Sequence, residues 1–448
     1  MSRRLMARVG AATINDKSTV FAMSPVSSSI TNILSQHSDD ASQLRSTRSV
    51  LCRASHVELS RLARLDERLV AHLDGLTVAK EAGRKAAQAA LAAPGCGTVF
   101  VTSVLSLNAQ DRAATEAHLV IAEALHDAFA GFISALGWVS GSVLRGLIRD
   151  WLAGPSIAQQ TAALAACRFH GVNPREFLEF AINHEHPQLA ACGSRVAVTL
   201  GLKSQLPLLI NRVRTNEASE LNAWLSLSTA MLGDRTISLD SLKVLAHAGG
   251  PISDSCFGLV VLALPQDSAH IWIREWASRA LNEPKARRRQ IRGCGLTGDV
   301  RYVPWLIEQM NDLTVSRLAG EAFSFITGAN LAPLDLERKP PENAPSGPTD
   351  DPEDNNVAMD EDDGLPWPDV VRVHAWWQSN SVRFPAGHRY LVGAPVSEAQ
   401  CIKVLHTGGQ RQRAVAAAMR CILKPGTPLF QVAAPAWRQK RWLAQLTA

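Results

Sequence analysis

Tyrosine is almost missing from this chain: two residues in 448, against 11 tryptophans and 12 phenylalanines. Charged residues are scarce too, at 19%, and alternating β-branched runs are rare. A sheet-based core is therefore not expected, and the excess of Ala and Leu points to an all-α fold. Eight cysteines stand singly, at Cys52, Cys96, Cys167, Cys192, Cys256, Cys294, Cys401 and Cys421, with no CxxC pair. Zinc-ribbon and thioredoxin-type sites lose their support, and thiols set among Ala, Leu and Val behave as small hydrophobes in a reducing compartment. No apolar run reaches the roughly 18–20 residues of a membrane span. The N-terminal MSRRLMARVGAATINDKSTVFAM is basic without a continuous apolar stretch, so a secretory signal is not expected and the cytoplasm is. The sequence has no phosphate-cradling glycine loop, GxSxG elbow or HExxH. An enzyme is not the favoured reading, and no metal or other cofactor is expected.

What is present is length and apolar content. At 448 residues and 46% apolar, the chain suits two or three domains or one long repeat array. The formal charge of +5 is uneven: Asp335 to Asp369 carries twelve acids against two bases, leaving about +15 for the rest. A basic body with one acidic strap suits nucleic acid, anionic lipid or an acidic protein. The plainer reading is a solvated surface kept soluble by an acidic linker.

The organising stretch is Leu296 to Gly328, LTGDVRYVPWLIEQMNDLTVSRLAGEAFSFITG. Val303, Leu306, Ile307 and Met310 recur at helical spacing, as do Val315, Leu318, Ala322, Phe325 and Ile326 after a break at Asn311–Asp312. Thr297-Gly298-Asp299 supplies a stop and then an N-cap. Each helix is apolar along one stripe and needs stacked neighbours. Further helices are expected from near Ser156, Pro187, Glu217, Asp254, Lys285 and Val315, about every 30 residues. One echo is direct: Val198–Val213 matches Arg292–Met310 in the offsets of Gly, Leu, Pro and the paired apolar residues.

The stretch resembles the short HEAT-like repeats of bilin lyases. It carries Gly298-Asp299, Arg301, Val303-Pro304, Leu306-Ile307, Asp312 and Val315, with Arg317 one residue late. Proline suits the first helical turn, where its missing N–H has no partner to lose. A second resemblance rests on LARLDERLVAHLDGL (Leu62–Leu76), RFPAGHRYLVGAPVS (Arg383–Ser397) and Gly408–Leu443. These blocks are similar to an uncharacterised proteobacterial family of HEAT-like repeat proteins, often encoded near type VI secretion genes. The resemblance implies a HEAT-like α-solenoid with helical caps, no assigned activity and no catalytic residues. It also implies a protein partner: a type VI secretion spike-tip, adaptor or effector protein.

The expected organisation is a disordered extension over 1–28, a helical region over 29–154 and HEAT-like repeats over 155–330. An acidic disordered insertion follows over 335–369, then a helical cap over 370–448. In the N-terminal region Leu59, Leu62, Leu65, Leu69, Leu73 and Leu76 fall on one face. Gly131, Gly137, Gly141 and Gly146 are spaced to let helices approach closely. VVRVHAWWQSN reads as a helix, RFPAGHRYLVGAPVS as a compact turn or short hairpin, and Ser397–Gln400 as a capping box.

Three clusters carry the site candidates. Lys285, Arg287, Arg288, Arg289 and Arg292 form a basic run at a helix start. The choices are a solvated face, docking of the acidic loop or an acidic protein, or phosphates on a concave HEAT-like face. No aromatic interleaving supports single-strand stacking, so nucleic acid is the weaker partner. Trp376, Trp377 and Arg389 belong to the densest aromatic region and serve either as interface anchors or as packing. His184-Glu185-His186 lacks a third metal ligand at helical spacing, and a loop between repeats accounts for it. Asp351–Asp363 departs from the EF-hand order. The function expected is a protein–protein interaction scaffold or adaptor; the alternative is a HEAT-like nucleic-acid binder or enzyme using the basic face.

Overall fold

The computed structural model describes residues 28–215, 219–250, 252–281, 283–342 and 360–446. Residues 1–27 of the expected N-terminal extension and 343–359 of the acidic insertion lie outside them. The described chain is all-α but for two short β-pairs. The first region holds α1 (Ser28–Leu51), α2 (Leu59–Val78), α3 (Lys80–Ala89), α4 (Cys96–Asn108), α5 (Arg112–Ala124), α6 (His126–Trp138) and α7 (Leu147–Ala153). All six leucines of the α2 stripe are buried. Gly131 lets α6 lie against the start of α4: a Cβ there would sit 2.1 Å from the Cys96 carbonyl oxygen.

The middle of the chain is α8 (Ile157–His170), α9 (Glu176–Asn183), α10 (Pro187–Thr199), α11 (Leu206–Thr215), α12 (Glu220–Leu232), α13 (Ile237–His247), α14 (Ser253–Ala263), α15 (Gln266–Ala280), α16 (Pro284–Thr297), α17 (Val303–Gln309) and α18 (Ser316–Thr327). The even-numbered helices pack in a row, α4 on α6, α6 on α8, and so on to α18. Each odd one from α9 to α17 packs on the even helix that follows it.

Sequence explains the two roles. Beyond its polar first turn α14, SDSCFGLVVLA, is apolar all round and enclosed by neighbours, with Cys256, Phe257, Val260 and Val261 nearly inaccessible. α15 buries Ala269, Trp272, Ile273 and Trp276 along one inward stripe and leaves Ile271 exposed. Burial of each large side chain of this kind stabilises the fold by roughly 1.5–3 kcal/mol.

Five of the six helices expected from near Ser156, Pro187, Glu217, Asp254, Lys285 and Val315 begin within a residue or two. The one placed near Glu217 begins at Glu220, and Glu217 itself lies outside the described residues. The internal echo is structural as well. Gly201 and Gly298 each take a left-handed turn, a single 3-10 turn follows, and α11 or α17 then starts. In the second copy Asp299 caps the turn by accepting the Arg301 N–H at 3.0 Å.

The last region holds β1 (Glu337–Arg338), β2 (Trp367–Pro368), α19 (Val370–Asn380), β3 (Tyr390–Leu391), β4 (Ala394–Pro395), α20 (Glu398–Thr407), α21 (Gln410–Leu423) and α22 (Ala436–Leu446). The ends of the acidic insertion differ from the disorder that composition suggests. β1 and β2 pair antiparallel, and Trp367 is 7% exposed, so one aromatic anchor and a ladder hold both ends of the loop together. β3 and β4 form the expected hairpin. Only half of the capping box forms: Ser397 Oγ accepts the Gln400 N–H, but the Gln400 amide donates to Leu391 O.

The placement of the C-terminal helices departs from an end cap. α19 packs on α17 at the end of the row, whereas α21 lies on α12 and α14. α22 reaches α2, and Leu59, Ala63, Leu262, Phe325, Val404, Ala416 and Leu443 share one core. Backbone bonds join first and last regions: the Gln410 N–H donates to Val57 O at 2.8 Å, and the Ala436 N–H to the Asp66 carboxylate at 2.7 Å. Polar side chains of this stretch also satisfy carbonyls of the row: Gln431 donates to Arg168 O at 3.0 Å and Arg438 to Gly137 O at 2.7 Å.

Candidate functional site: an arginine face carrying its own acidic segment

α16 begins PKARRRQIR, with Ala286 and Ile291 turned into the core. Successive helical residues are about 100° apart, so three consecutive arginines cannot share a face. Arg287 reaches forward to Asp312 at 2.6 Å and Gln309 at 2.8 Å. Arg289 reaches back to Asp254, Ser253 Oγ and the Ala246 carbonyl, with its guanidinium 5.0 Å above the Trp276 ring. Both therefore tie α16 to its neighbours. Lys285 is exposed.

Arg288 and Arg292, one turn apart, share a face with Arg317 of α18 and Arg411 of α21. Onto it comes the chain's own acidic segment. Arg288 holds both oxygens of Asp362 at 2.5 and 2.9 Å and reaches Glu361 at 3.2 Å. Arg292 meets Glu361 at 3.3 Å. Arg317 pairs with Asp360 at 2.5 Å and stacks 4.5 Å above the Trp367 ring. Main-chain carbonyls are bound as well: Arg317 donates to Asp362 O at 3.2 Å, and Arg411 to Glu361 O at 3.2 Å. The segment holds its own shape, because the Asp362 N–H donates to the Asp360 carboxylate at 2.9 Å.

The electrostatics follow from these contacts. Burial opposes ionisation of Asp360, but the hydrogen bond from Arg317 and the Asp362 N–H outweigh it and hold the carboxyl below its usual range. Burial disfavours the Arg288 charge, and the Asp362 and Glu361 carboxylates more than restore it. Beside the segment is a small cleft of about 140 Å³, with Leu318, Phe325 and Val415 among its walls and Arg292, Arg411 and Glu321 at its rim. Glu321 is the odd member: burial pushes its carboxyl up despite a 2.8 Å bond to Arg411, and its Oε1 has no partner among the described residues.

The other sequence candidates lie apart and pack within the chain. Trp376 meets Phe323 edge-on at 5.7 Å, and Trp377 lies 5.6 Å from Phe384. Arg389 closes the end of α14, donating to Leu262 O at 2.5 Å and Leu264 O at 2.9 Å. Sequence reasoning did not single out Arg317, Arg411 and Glu321 as site residues. Arg317 and Glu321 lie on α18 and Arg411 on α21, far apart in the sequence, and only the overlap of Arg317 with a repeat position gave any signal.

No protein-family model, curated protein or solved structure matches the chain.

Proposed function

We propose that this protein is a non-enzymatic scaffold, an α-solenoid of HEAT-like helix pairs that holds an acidic segment of another protein on the Arg288–Arg292–Arg317–Arg411 face. The observation that carries the reading is the acidic segment already there. Three consecutive carboxylates and two main-chain carbonyls are gripped by arginines from three helices. Recognition of carbonyls beside carboxylates suits a peptide, since a nucleic-acid backbone offers no such alternation. The chain's own segment then competes with the partner for the face. The row of stacked helices, and the repeat resemblance, support the solenoid description. The family resemblance extends it to an accessory of type VI secretion, with a spike-tip, adaptor or effector protein as partner.

The test uses a labelled peptide of residues 358–367 and the full chain carrying Asp360→Asn and Asp362→Asn. Fluorescence anisotropy should report binding to this variant, weaker binding to the parent, and loss of binding when Arg288→Glu and Arg317→Glu are added. Duplex DNA binding with a steep salt dependence, and no peptide binding, would replace this reading with the nucleic-acid alternative. Crosslinking in cells with mass spectrometry should recover a protein whose capture depends on Arg288 and Arg317.

A further inference from the structure

A second cleft lies away from the arginine face, where the first region, the helical row and α22 meet. It has a volume of about 370 Å³, at the lower end of the roughly 300–1,000 Å³ of small-molecule sites. Its walls come from Trp138 at the end of α6, Phe169 at the end of α8, and Trp437, Arg438, Arg441 and Trp442 on α22. Those α22 residues share one side because they are three to four positions apart.

Most of the accessible lining of the cleft is polar, and Trp437 is the most open of its aromatic groups. Trp437 stands edge-on to Trp138 at 4.6 Å and is 40% exposed, so its ring borders the cleft without being consumed by the core. His170, also in the wall, donates from Nε2 to Leu136 O at 2.9 Å. Its Nδ1 is therefore an acceptor, and burial, set against the Leu136 bond, keeps the ring neutral.

The charge is one-sided. Arg438 is 6% exposed and donates to Gly137 O at 2.7 Å and Phe169 O at 3.2 Å, the carbonyl ends of α6 and α8. Two neutral acceptors do not neutralise it. The charged group facing it is Arg441, which carries the same sign. Behind Phe169 the Arg168 guanidinium lies 4.5 Å over the ring, faced by Arg195 and by no carboxylate among the described residues. A buried cation without a counter-ion is costly, and an anion entering the cleft would relieve it.

We propose that this cleft binds a mononucleotide, with the base against the Trp437 ring and the phosphate on Arg438 and Arg441. Flat π-surfaces accept any base, and guanidinium forks match a phosphate in two-point geometry. The Nδ1 acceptor of His170 suits an exocyclic amino group. The site is independent of the arginine face and of the scaffold reading.

The experiment titrates the full chain with AMP, adenosine and inorganic phosphate, read by tryptophan fluorescence and by calorimetry. AMP should saturate one site, and adenosine and phosphate should each bind at least about tenfold more weakly, since each makes only half of the contacts. Arg441→Glu should weaken AMP by about tenfold or more and leave adenosine unchanged, and Trp437→Ala should weaken both AMP and adenosine. Both residues are exposed at the rim, and thermal melting checks that the variants fold. Absence of saturable binding by AMP and the other three ribonucleoside monophosphates would overturn the proposal. Phosphate binding as tightly as AMP would overturn it too, as would an Arg441→Glu variant with parental affinity.

Discussion

Asp362 sets both carboxylate oxygens on the guanidinium of Arg288, at 2.5 and 2.9 Å, and is 3% exposed. Removing one member of a fully buried pair costs about 3–5 kcal/mol, and less where water reaches the survivor. The Arg288 side chain keeps 18% of its surface. Asp362→Ala is therefore expected to lower stability by about 1–3 kcal/mol. A double-mutant cycle with Arg288→Ala, by urea unfolding, should return an interaction energy above about 1 kcal/mol. Strict additivity would mean that the acidic segment is not held by this pair.

Helix positions were legible because their signals are local. Pro187 and Pro284 sit in first turns, Ser156 caps α8, and apolar stripes mark the faces. The arginine face was not legible, because KARRRQIR looks like one patch. On a helix it fans out to Asp312, Asp362 and Asp254, whose places in the sequence give no hint of convergence. The path of the C-terminal region was hidden for a related reason. Gln410, Arg413 and Gln439 read as surface residues, yet all three are essentially inaccessible. Arg413 is held by Leu405 O, Gln410 and Gln439, so polar side chains here do the packing that periodicity assigns to apolar ones.

Arg389 separates a structural role from a partner-binding one. It is held on the last carbonyls of α14, which have lost their intrahelical donors. Arg389→Ala should cost about 1–3 kcal/mol in stability through unpaired carbonyls. Peptide affinity for the Arg288 face should be unchanged once the protein is folded. Urea unfolding and anisotropy on the same sample read the two quantities separately. A stable variant with lost affinity would return Arg389 to the interface.

The C-terminal segment presses directly on a turn of the row. A Cβ at Gly201 would lie 2.2 Å from the Gly426 carbonyl oxygen, at a φ of +68°. Gly171 has the same φ with open space around it. Left-handed backbone alone costs an alanine roughly 1–2 kcal/mol, which is the expectation for Gly171→Ala. Gly201→Ala should lose at least about 1 kcal/mol more, because backbone must move. Equal melting temperatures for the two variants would mean that the segment does not rest on this turn.

Two carboxyls of the arginine face should answer pH in opposite senses. Glu321 is pushed up by burial against the pull of Arg411. In the unfolded chain it gives up its proton near pH 4.3, and the folded protein keeps that proton to higher pH. Between those points the folded state binds more protons, so its stability falls as pH rises. Glu321→Gln cannot ionise and escapes the loss. Its stability relative to the parent should therefore climb from about pH 4 and level off above the folded pKa. Asp360 is the reverse case: its carboxyl is depressed, with the Arg317 and Asp362 N–H bonds outweighing burial. Its contribution is present above the ordinary aspartate value and is lost as pH falls through the folded one. The penalty of Asp360→Asn should thus be full at neutral pH and vanish in acid. Urea midpoints for both variants across pH 3–8 test the pair together. A Glu321→Gln difference that moves against the variant with rising pH would mean that the Arg411 bond outweighs burial at this position.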